Sequence, residues 1–489
     1  MTAVAAASEL STTWLHTAGR RRRVVLTGLV IALSLGLARL VLAYDVAAVA
    51  GLVVSAALIA IVLRPRHGLY LLLAVVLLFD PGIDPLMEPG RYMYSSLQST
   101  LHLSGAIFIP FEMILLLTAA IWLAQATMRR QLDFRSGVLG PPMLLFALAL
   151  VFGVIRGTLA GANFNYMFWE SRFLFSMVLA YLVAANTIRT RAHVRVLLTL
   201  IFVCVSLSAI EGVWRKYALA DAGLLGPIHE FWYAHDGIVI WGLLLILVLA
   251  QQTFGGPRWQ RLMGPFVALV TIFAMLVSER RAGLIAIMVA LAVFILGLIT
   301  INRKAFVRVA LPTLLIASVY LPLFWNDTGT LGQAARAVRS ISSPDPRDAS
   351  SNAWRDLEAI NVRATIASDP LLGIGFGRPF LQVVTVPDIS GFELWNYEAH
   401  HDILWVWMKT GAFGFIAFFA LMLGGIARSM WLAKRLAQPE LKAFAMVAMS
   451  AILMSLVFCY VDLGLIGARL PMLLGVALGT VGVLERIRH

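Results

Sequence analysis

Long runs of apolar residues recur along most of this chain and limit what it can fold into. Residues 24–43, 106–123 and 282–300 are each long enough to cross the hydrocarbon core of a bilayer, which takes about 20 helical residues. Of the 489 residues, 60% are hydrophobic and only 13% are charged, whereas a soluble domain carries roughly 25% charged residues. The short alternating segments typical of a membrane β-barrel do not occur. The sequence therefore predicts an all-α, polytopic membrane protein built as a helical bundle.

Hydropathy predicts about 12 to 14 transmembrane helices, with both chain ends in the cytoplasm and a short, re-entrant-like third span. The predicted organisation is a cytoplasmic tail (1–23), a transmembrane bundle (24–324), one large periplasmic loop (325–401) and C-terminal transmembrane helices (402–489). The predicted spans are residues 24–43, 46–63, 69–78, 106–127, 138–155, 169–185, 196–213, 237–250, 263–277, 282–300, 306–324, 403–426, 441–460 and 466–484.

The formal net charge of +13 would suit a nucleic-acid partner, but its distribution along the chain indicates another cause. Most basic residues lie in short connections that alternate with poorly basic ones, as the positive-inside rule predicts. The excess charge therefore reflects membrane topology, and the expected surroundings are lipids, not nucleic acid.

A second group of arginines falls outside the inner connections, at the predicted outer ends of spans. One interpretation is that each snorkels or pairs with a nearby acid, such as Glu170, Glu211, Glu279, Glu358 or Asp462. As a set, they favour a bound diphosphate, because each guanidinium offers phosphate a planar, permanently charged fork. The group is Arg156, Arg172, Arg215, Arg280, Arg281, Arg355, Arg363, Arg378 and Arg469.

The large predicted loop, 325–401, is too small for an independent domain and is expected to pack against the bundle. Its residues 341–351 (ISSPDPRDASS) indicate a turn or linker with two prolines. Residues 352–368 predict an amphipathic helix, capped by Ser351 or Asn352 and ended by the Asp369–Pro370 pair.

The loop ends in a polar cluster placed directly before an apolar run, NYEAHHDILWVWMKTGAFGF (396–415). His400 or His401 could take a proton from a hydroxyl, since an unperturbed imidazole titrates near pH 6.5. The plainer interpretation is two interfacial histidines with Asp402 as the helix cap. Lys409 is predicted on the same helix face, where it would pair with Asp402 or Asp462 or help to hold an anion.

Three ordered motifs resemble those of the O-antigen ligase and O-antigen polymerase superfamily. SERRAG (278–283) is similar to the family's S-x-S-R-(G/A) element, and RDLEAINVRATIASDPLLGIGFG (355–377) resembles its R-x(n)-P-L-(L/F)-G-(V/I)-G-(F/L)-G loop. AHHDILWVWMKTGAFGFIAF (399–418) resembles its A-H-(N/S)-x-(Y/I)-L-x(n)-G-x-x-G segment. Order and spacing agree from residue 237 to 426.

The resemblance implies a GT-C-like membrane fold and an O-antigen ligase-type glycosyltransferase of the bacterial inner membrane, acting in lipopolysaccharide and cell-envelope synthesis. Its donor would be a glycan on undecaprenyl diphosphate, transferred on the periplasmic side to a lipid or glycan hydroxyl such as that of lipid A core. His400 matches the family's essential histidine, and Arg281 and Arg355 match two of its arginines. Arg172, in WESRFLF, matches a third more loosely, and Arg280 would assist.

Several residues depart from the family pattern and leave the acceptor and subfamily open. His401 replaces the usual Asn or Ser, Lys409 stands where Glu or Gln is frequent, and Ala359 replaces a frequent Trp. His235 and Asp236 occupy the place of a Pro-Asn pair. With Asp402 and Arg363, the residues His401, Lys409, His235 and Asp236 are predicted to support the site.

The hypothesis from the sequence is an inverting, single displacement without metal or cofactor, in which arginines hold the diphosphate and His400 activates the acceptor hydroxyl. A polymerase of the same superfamily and a flippase of lipid-linked glycan remain alternatives. Asp80 and Asp84 raise a metal-dependent glycosyltransferase as a further alternative, whereas His229, Glu230, His235 and Asp236 lack a recognisable metal-binding spacing. The GIGFG string (373–377) lacks the strand–helix context of a dinucleotide loop.

Overall fold

The computed structural model describes residues 46–80, 108–128, 134–221, 223, 234–387 and 394–487, and these residues contain no β-strand. The all-α prediction is confirmed. The predicted tail (1–23), the first span (24–43) and Asp84 lie outside the described residues. The helices are α1 (Val46–Leu63), α2 (Arg66–Leu78), α3 (Pro110–Met128), α4 (Gly140–Leu159), α5 (Phe164–Thr187), α6 (Arg191–Asp221), α7 (Gly237–Phe254), α8 (Arg258–Val277), α9 (Arg281–Ile301), α10 (Arg303–Phe324), α11 (Gln333–Arg339), α12 (Pro346–Ser368), α13 (Asp402–Arg435), α14 (Pro439–Cys459) and α15 (Arg469–Val483).

Ten of the described helices are long and apolar enough to cross a membrane. They are α3 to α10, α13 and α14, while α2 is a shorter apolar helix. Each predicted span after the first coincides with one helix, because uninterrupted apolar runs between basic or proline-containing connections fix where such helices begin and end. The chain is thus a multi-pass membrane protein.

The chain forms two compact units that divide after Arg64. In the first unit the structure describes α1, an uncharged apolar helix. The second unit holds all the other helices, and its core lies where α14 packs against α7, α9 and α13. Here α15 packs closely against α5, because Gly475 and Gly479 leave room for the backbone of Met177 and Tyr181. Small residues allow such close approach in membrane helix pairs.

The glycine-rich motif, residues 370–378 (the motif loop), enters a break in α13. Gly411 has φ 70° and ψ −174° inside this helix. Across the break, Ala412 N–H donates to Pro370 O at 3.0 Å, and Ile374 N–H donates to Met408 O at 2.8 Å. The motif loop therefore satisfies backbone groups that the interrupted helix leaves open, as irregular backbone within a membrane protein requires.

The helix of the large loop starts earlier than predicted. The expected start at Ser351 or Asn352 was wrong: α12 begins at Pro346, and the side chain of Asp345 caps it by accepting from Asp348 N–H at 2.8 Å. Proline is favoured in the first turn of a helix, so Pro346 begins α12 and does not mark a linker. The predicted end at Ser368 is confirmed, and α12 packs against α13, as expected of a loop without its own core.

Candidate active site

The buried charges of the described residues concentrate at one end of the bundle, the end that carries residues 325–387 and 394–401 (here called the loop face). They lie in connections on that side, on the loop helices α11 and α12, or within eight residues of the end of a membrane helix, which is about 12 Å along the helix. They are Asp80, Glu112, Glu170, Arg172, Arg215, Asp236, Arg280, Arg336, Asp348, Glu358, Asp402, Lys409, Asp462 and Arg469.

Asp462 connects several predicted site residues. Its carboxylate lies 3.1 Å from Nδ1 of His235 and 3.8 Å from Nη2 of Arg355. Arg280 Nη1 lies 3.3 Å from the same His235 nitrogen. Burial raises the pKa of Asp462, but the charges of His235, Arg355 and His400 outweigh it and hold the pKa below its ordinary value. Asp462 is therefore an ionised carboxylate around which Arg280, His235, Arg355 and His400 gather (the Asp462 cluster).

His400 is held by the loop helix α12. Its backbone N–H donates to Oε2 of Glu358 at 2.8 Å, and its Nδ1 lies 3.2 Å from Oε1 of the same carboxylate. The indole of Trp354 packs against the imidazole in a T-shaped arrangement, with 4.7 Å between ring centroids. Among the described residues, none forms a hydrogen bond to Nε2 of His400, and the side chain is 24% exposed.

Arg355 has unused hydrogen-bonding capacity. Its Nη1 donates to Ser351 Oγ at 2.9 Å, whereas its Nε is buried and has no hydrogen-bond partner among the described residues. An unsatisfied buried donor is costly. A ligand with acceptor oxygens would satisfy it.

Arg281 points to a neighbouring cluster. Its Nε lies 3.0 Å from Asp348, which also binds Arg336 at 2.6 Å. Between α8 and α9, Glu279 has φ 57°, a left-handed conformation that few non-glycine residues adopt. This tight turn places Arg280 beside His235 and Arg281 beside Asp348.

Arg172 belongs to a third cluster. Its Nε lies 3.7 Å from Glu112, and its guanidinium stacks 3.7 Å from the Trp169 ring centroid. It lines a largely apolar cavity of about 370 Å³ between α3, α4 and α5. Its Nε and Nη1 form no hydrogen bond to the described residues. An electrostatic interaction with Glu398, two residues before His400, connects Arg172 with the segment that carries His400.

The predicted partners of Lys409 were wrong. Its ammonium pairs with Glu170 at 2.6 Å and donates to Arg378 O at 2.6 Å, with no exposed side-chain surface. Glu170 also accepts from the Gly377 N–H at 2.5 Å. Lys409 and Glu170 thus fasten the motif loop. Asp402 lies seven residues before Lys409, about 10 Å along α13, whereas Glu170 on the adjacent α5 contacts the ammonium.

Asp402 was also wrongly expected to cap α13. The cap is His401, whose Nδ1 accepts from Leu404 N–H at 3.3 Å, while Asp402 accepts from the Gly464 and Leu465 N–H groups at 2.5 and 2.7 Å. Burial lowers the pKa of His401 to about 4, and the charge of Arg363 adds to this effect. His401 is therefore neutral near pH 7.

Asp236, which was predicted to support the site, belongs to a buried ion network with Arg469, Asp80 and Arg215. Asp236 lies 3.4 Å from Arg469, which also pairs with Asp80 at 2.7 Å. Asp80 pairs further with Arg215 at 3.5 Å. Over the described residues, no group of three or more His, Cys, Asp or Glu side chains could hold a metal ion.

Sequence reasoning named Glu358 only as a partner for arginines and Asp462 only as a partner for arginines or Lys409, and it missed Trp354. The signal for Glu358 and Trp354 was their four-residue spacing on one face of a helix that also carries Arg355. Their contact with His400, 42 residues from Glu358, depends on how the loop folds back.

Together, the helical bundle and its polar loop face define a multi-pass membrane protein with an arginine- and histidine-containing site. Residues 266–419 match the family model described as O-antigen ligase. This match confirms the resemblance to the O-antigen ligase superfamily, a family of ligase- and polymerase-type membrane glycosyltransferases. The matched segment includes Arg280, Arg281, Arg355, Glu358 and His400. No curated protein shows significant similarity to the chain.

Proposed function

We propose that this protein transfers an oligo- or polysaccharide from undecaprenyl diphosphate to an acceptor hydroxyl, on the periplasmic face of the bacterial inner membrane. The observation that carries the proposal is the Asp462 cluster, in which His400 and Arg355 lie beside Arg280 at the end of a membrane bundle. Arginine side chains at the end of the bundle can bind the diphosphate of a lipid-linked donor, and an imidazole can accept the proton of a hydroxyl.

In the proposed reaction, the acceptor oxygen attacks the anomeric carbon of the donor glycan. A new carbon–oxygen bond forms, the bond to the diphosphate breaks, and the diphosphate leaves with the electron pair. Nε2 of His400 takes the hydroxyl proton, and Arg280, Arg281 and Arg355 stabilise the charge that develops on the diphosphate. One displacement inverts the anomeric carbon. The Nε of Arg355, which is buried and has no hydrogen-bond partner in the part of the chain that the structure describes, supports the anion site.

Arg172 contributes from a different position. Because Arg172 lines an apolar cavity, we place it where the lipid chain of the donor joins the negatively charged diphosphate. Arg281 contacts Asp348 through its Nε, and its proposed role at the diphosphate follows from the family motif that it matches.

The distribution of charge supports chemistry over translocation. A flippase path needs polar groups through the depth of the bundle, whereas the buried charges of the described residues lie toward the loop face, and Lys409, seven residues into α13, is paired with Glu170. A ligase with lipid A core as acceptor is the preferred assignment, and a polymerase would use the same donor site with a second lipid-linked glycan.

The test is transfer in vitro by the purified, reconstituted protein, from glycan on undecaprenyl diphosphate to lipid A core or to a second lipid-linked glycan. His400→Ala is expected to abolish transfer, while His67→Ala, on α2 away from the Asp462 cluster, retains it. A chelator is expected to have no effect, because arginines neutralise the leaving group. Full transfer by a folded His400→Ala variant would refute the proposal, and loss of transfer with chelator would favour a metal-dependent reaction.

A further inference from the structure

We propose that Glu358 is a positioning residue that holds the imidazole of His400 with Nδ1 protonated and Nε2 free to accept a proton. The inference rests on the proposed function, in which His400 accepts the proton of the acceptor hydroxyl, and it adds Glu358 to the residues of the site.

The hydrogen bonds of Glu358 fix the tautomer. An ionised carboxylate only accepts hydrogen bonds, so the short contact between Nδ1 of His400 and Oε1 of Glu358, at 3.2 Å, requires a proton on Nδ1. In a neutral imidazole the other nitrogen is then an acceptor. The second oxygen of Glu358 binds the backbone N–H of His400 at 2.8 Å, so one carboxylate holds both the main chain and the ring.

Trp354 fixes the plane of the ring. It lies one helical turn before Glu358 on α12 and therefore on the same face. Its indole meets the imidazole at 81°, with 4.7 Å between centroids. Rotation of the ring would break both the packing against Trp354 and the hydrogen bond to Glu358.

The helix that carries both residues is itself anchored. The amide of Asn361 accepts from the N–H groups of Val383 and Val384, at 2.8 Å each, and donates to Val384 O at 2.9 Å. Thr365 Oγ1 accepts from Leu381 N–H at 2.8 Å. A positioning group needs such support, because catalysis depends on small displacements.

Several charged groups surround His400. Glu358 faces the ring from α12, and Asp462, which interacts electrostatically with His400, faces it from the segment after α14. Arg355, His235 and Arg280 stand around Asp462 and offset part of its charge. Loss of the Glu358 carboxylate removes the negative charge in direct contact with the ring.

The first experiment reads the protonation of His400 without requiring activity. The purified protein is treated with diethylpyrocarbonate at pH 5 to 9, and modification of the His400 peptide is followed by mass spectrometry. Since this reagent attacks an unprotonated nitrogen and Glu358→Gln removes the carboxylate in contact with the ring, this variant is expected to move the half-maximal pH downward. Asp356→Asn, on an exposed position of the same helix, is expected to leave it unchanged.

The second experiment measures transfer. Glu358→Gln is expected to lower kcat by about 100-fold, within the range for general-base catalysis, with KM for the donor unchanged and the acid limb of the rate profile moved to lower pH. Glu358→Asp, which keeps the charge, is expected to retain the pH limb with a smaller loss of kcat. If either variant fails to fold, the proposal is tested on the wild-type protein instead. Nitrogen NMR of wild-type protein labelled at histidine must then show that Nδ1 of His400 carries the proton.

The outcomes separate the two proposals. An unchanged half-maximal pH in folded Glu358→Gln, or an Nε2-protonated ring in the wild type, would overturn the role of Glu358. A shifted half-maximal pH in a protein that transfers no glycan would support the Glu358–His400 pair and refute the proposed function.

Discussion

Lys409 and Glu170 form an ion pair, 2.6 Å between Nζ and Oε1, in which neither side chain is exposed. Removing one member of a buried pair leaves the other charge uncompensated and costs roughly 3 to 5 kcal/mol. Lys409→Met is therefore expected to lower the free energy of unfolding in detergent by about that amount. Glu170→Gln is expected to act similarly, and the double variant should lose less than the sum.

Lys304→Met, on an exposed position of α10, is the matched control and should leave the unfolding free energy nearly unchanged. Additive losses in the double variant would contradict the coupling between Lys409 and Glu170.

Gly373 is expected to tolerate no side chain. It has φ 69°, and a Cβ there would lie 2.5 Å from Gly411 N and 2.7 Å from Met408 O. Gly161 has a similar φ of 72°, with nothing within 4 Å of an added Cβ. Gly161→Ala should cost only the conformational strain, about 1 to 2 kcal/mol, whereas Gly373→Ala should abolish recovery of folded protein in size-exclusion chromatography. Equal recovery of the two variants would show that the motif loop is not tightly held in α13.

His401 is expected to make stability depend on pH. Its pKa is lowered to about 4 by burial and by Arg363, while an unfolded histidine titrates near 6.5. The unfolded state binds the extra proton between these values, so the stability given by the neutral ring is complete above pH 6.5 and is lost as the pH falls toward 4.

His401→Asn keeps an acceptor for the Leu404 N–H and removes the titration. Its melting temperature should match that of the wild type at pH 8 and exceed it at pH 5. Identical declines for the two proteins between these pH values would disprove a role for His401.

Arg355→Lys should show how much of the proposed diphosphate binding depends on the planar guanidinium and how much on positive charge alone. Lysine retains a positive charge near Asp462 but lacks the planar fork that binds phosphate oxygens in two places. We expect transfer to fall by about 10- to 100-fold, equivalent to roughly 1.4 to 2.7 kcal/mol. Arg258→Lys, on the exposed first residue of α8, should retain wild-type rates. Wild-type transfer by Arg355→Lys would exclude a forked contact.

The helices were predictable because membrane burial imposes long apolar runs, and the ends of α1, α9 and α14 lie within two residues of those predicted. The start of α12 was missed because a proline can end one element or begin the next, and sequence alone did not decide between them for Pro346. The motifs predicted that Arg281 would join Arg355 and His400, whereas in the structure Arg280 lies in the Asp462 cluster with Arg355 and His400, and Arg281 contacts Asp348.

Side-chain partners were less predictable. Helical periodicity placed Lys409 on the face of Asp402, but the two residues are about 10 Å apart along α13, and Glu170 on α5 pairs with Lys409 instead. Glu358 and Asp462 contact residues that are distant in the sequence, and His400, for example, is 42 residues from Glu358. No local sequence pattern predicts such contacts.

The insertion of residues 370–378 into α13 also constrains how large substrates reach the site. Residues 346–368 end directly before this insertion, so lifting them away like a lid would pull the inserted segment out of the break and expose unpaired backbone groups in the bundle. We therefore expect the entrance to be permanent and sideways, between neighbouring helices, so that two lipid-tethered molecules can arrive by diffusion in the plane of the membrane.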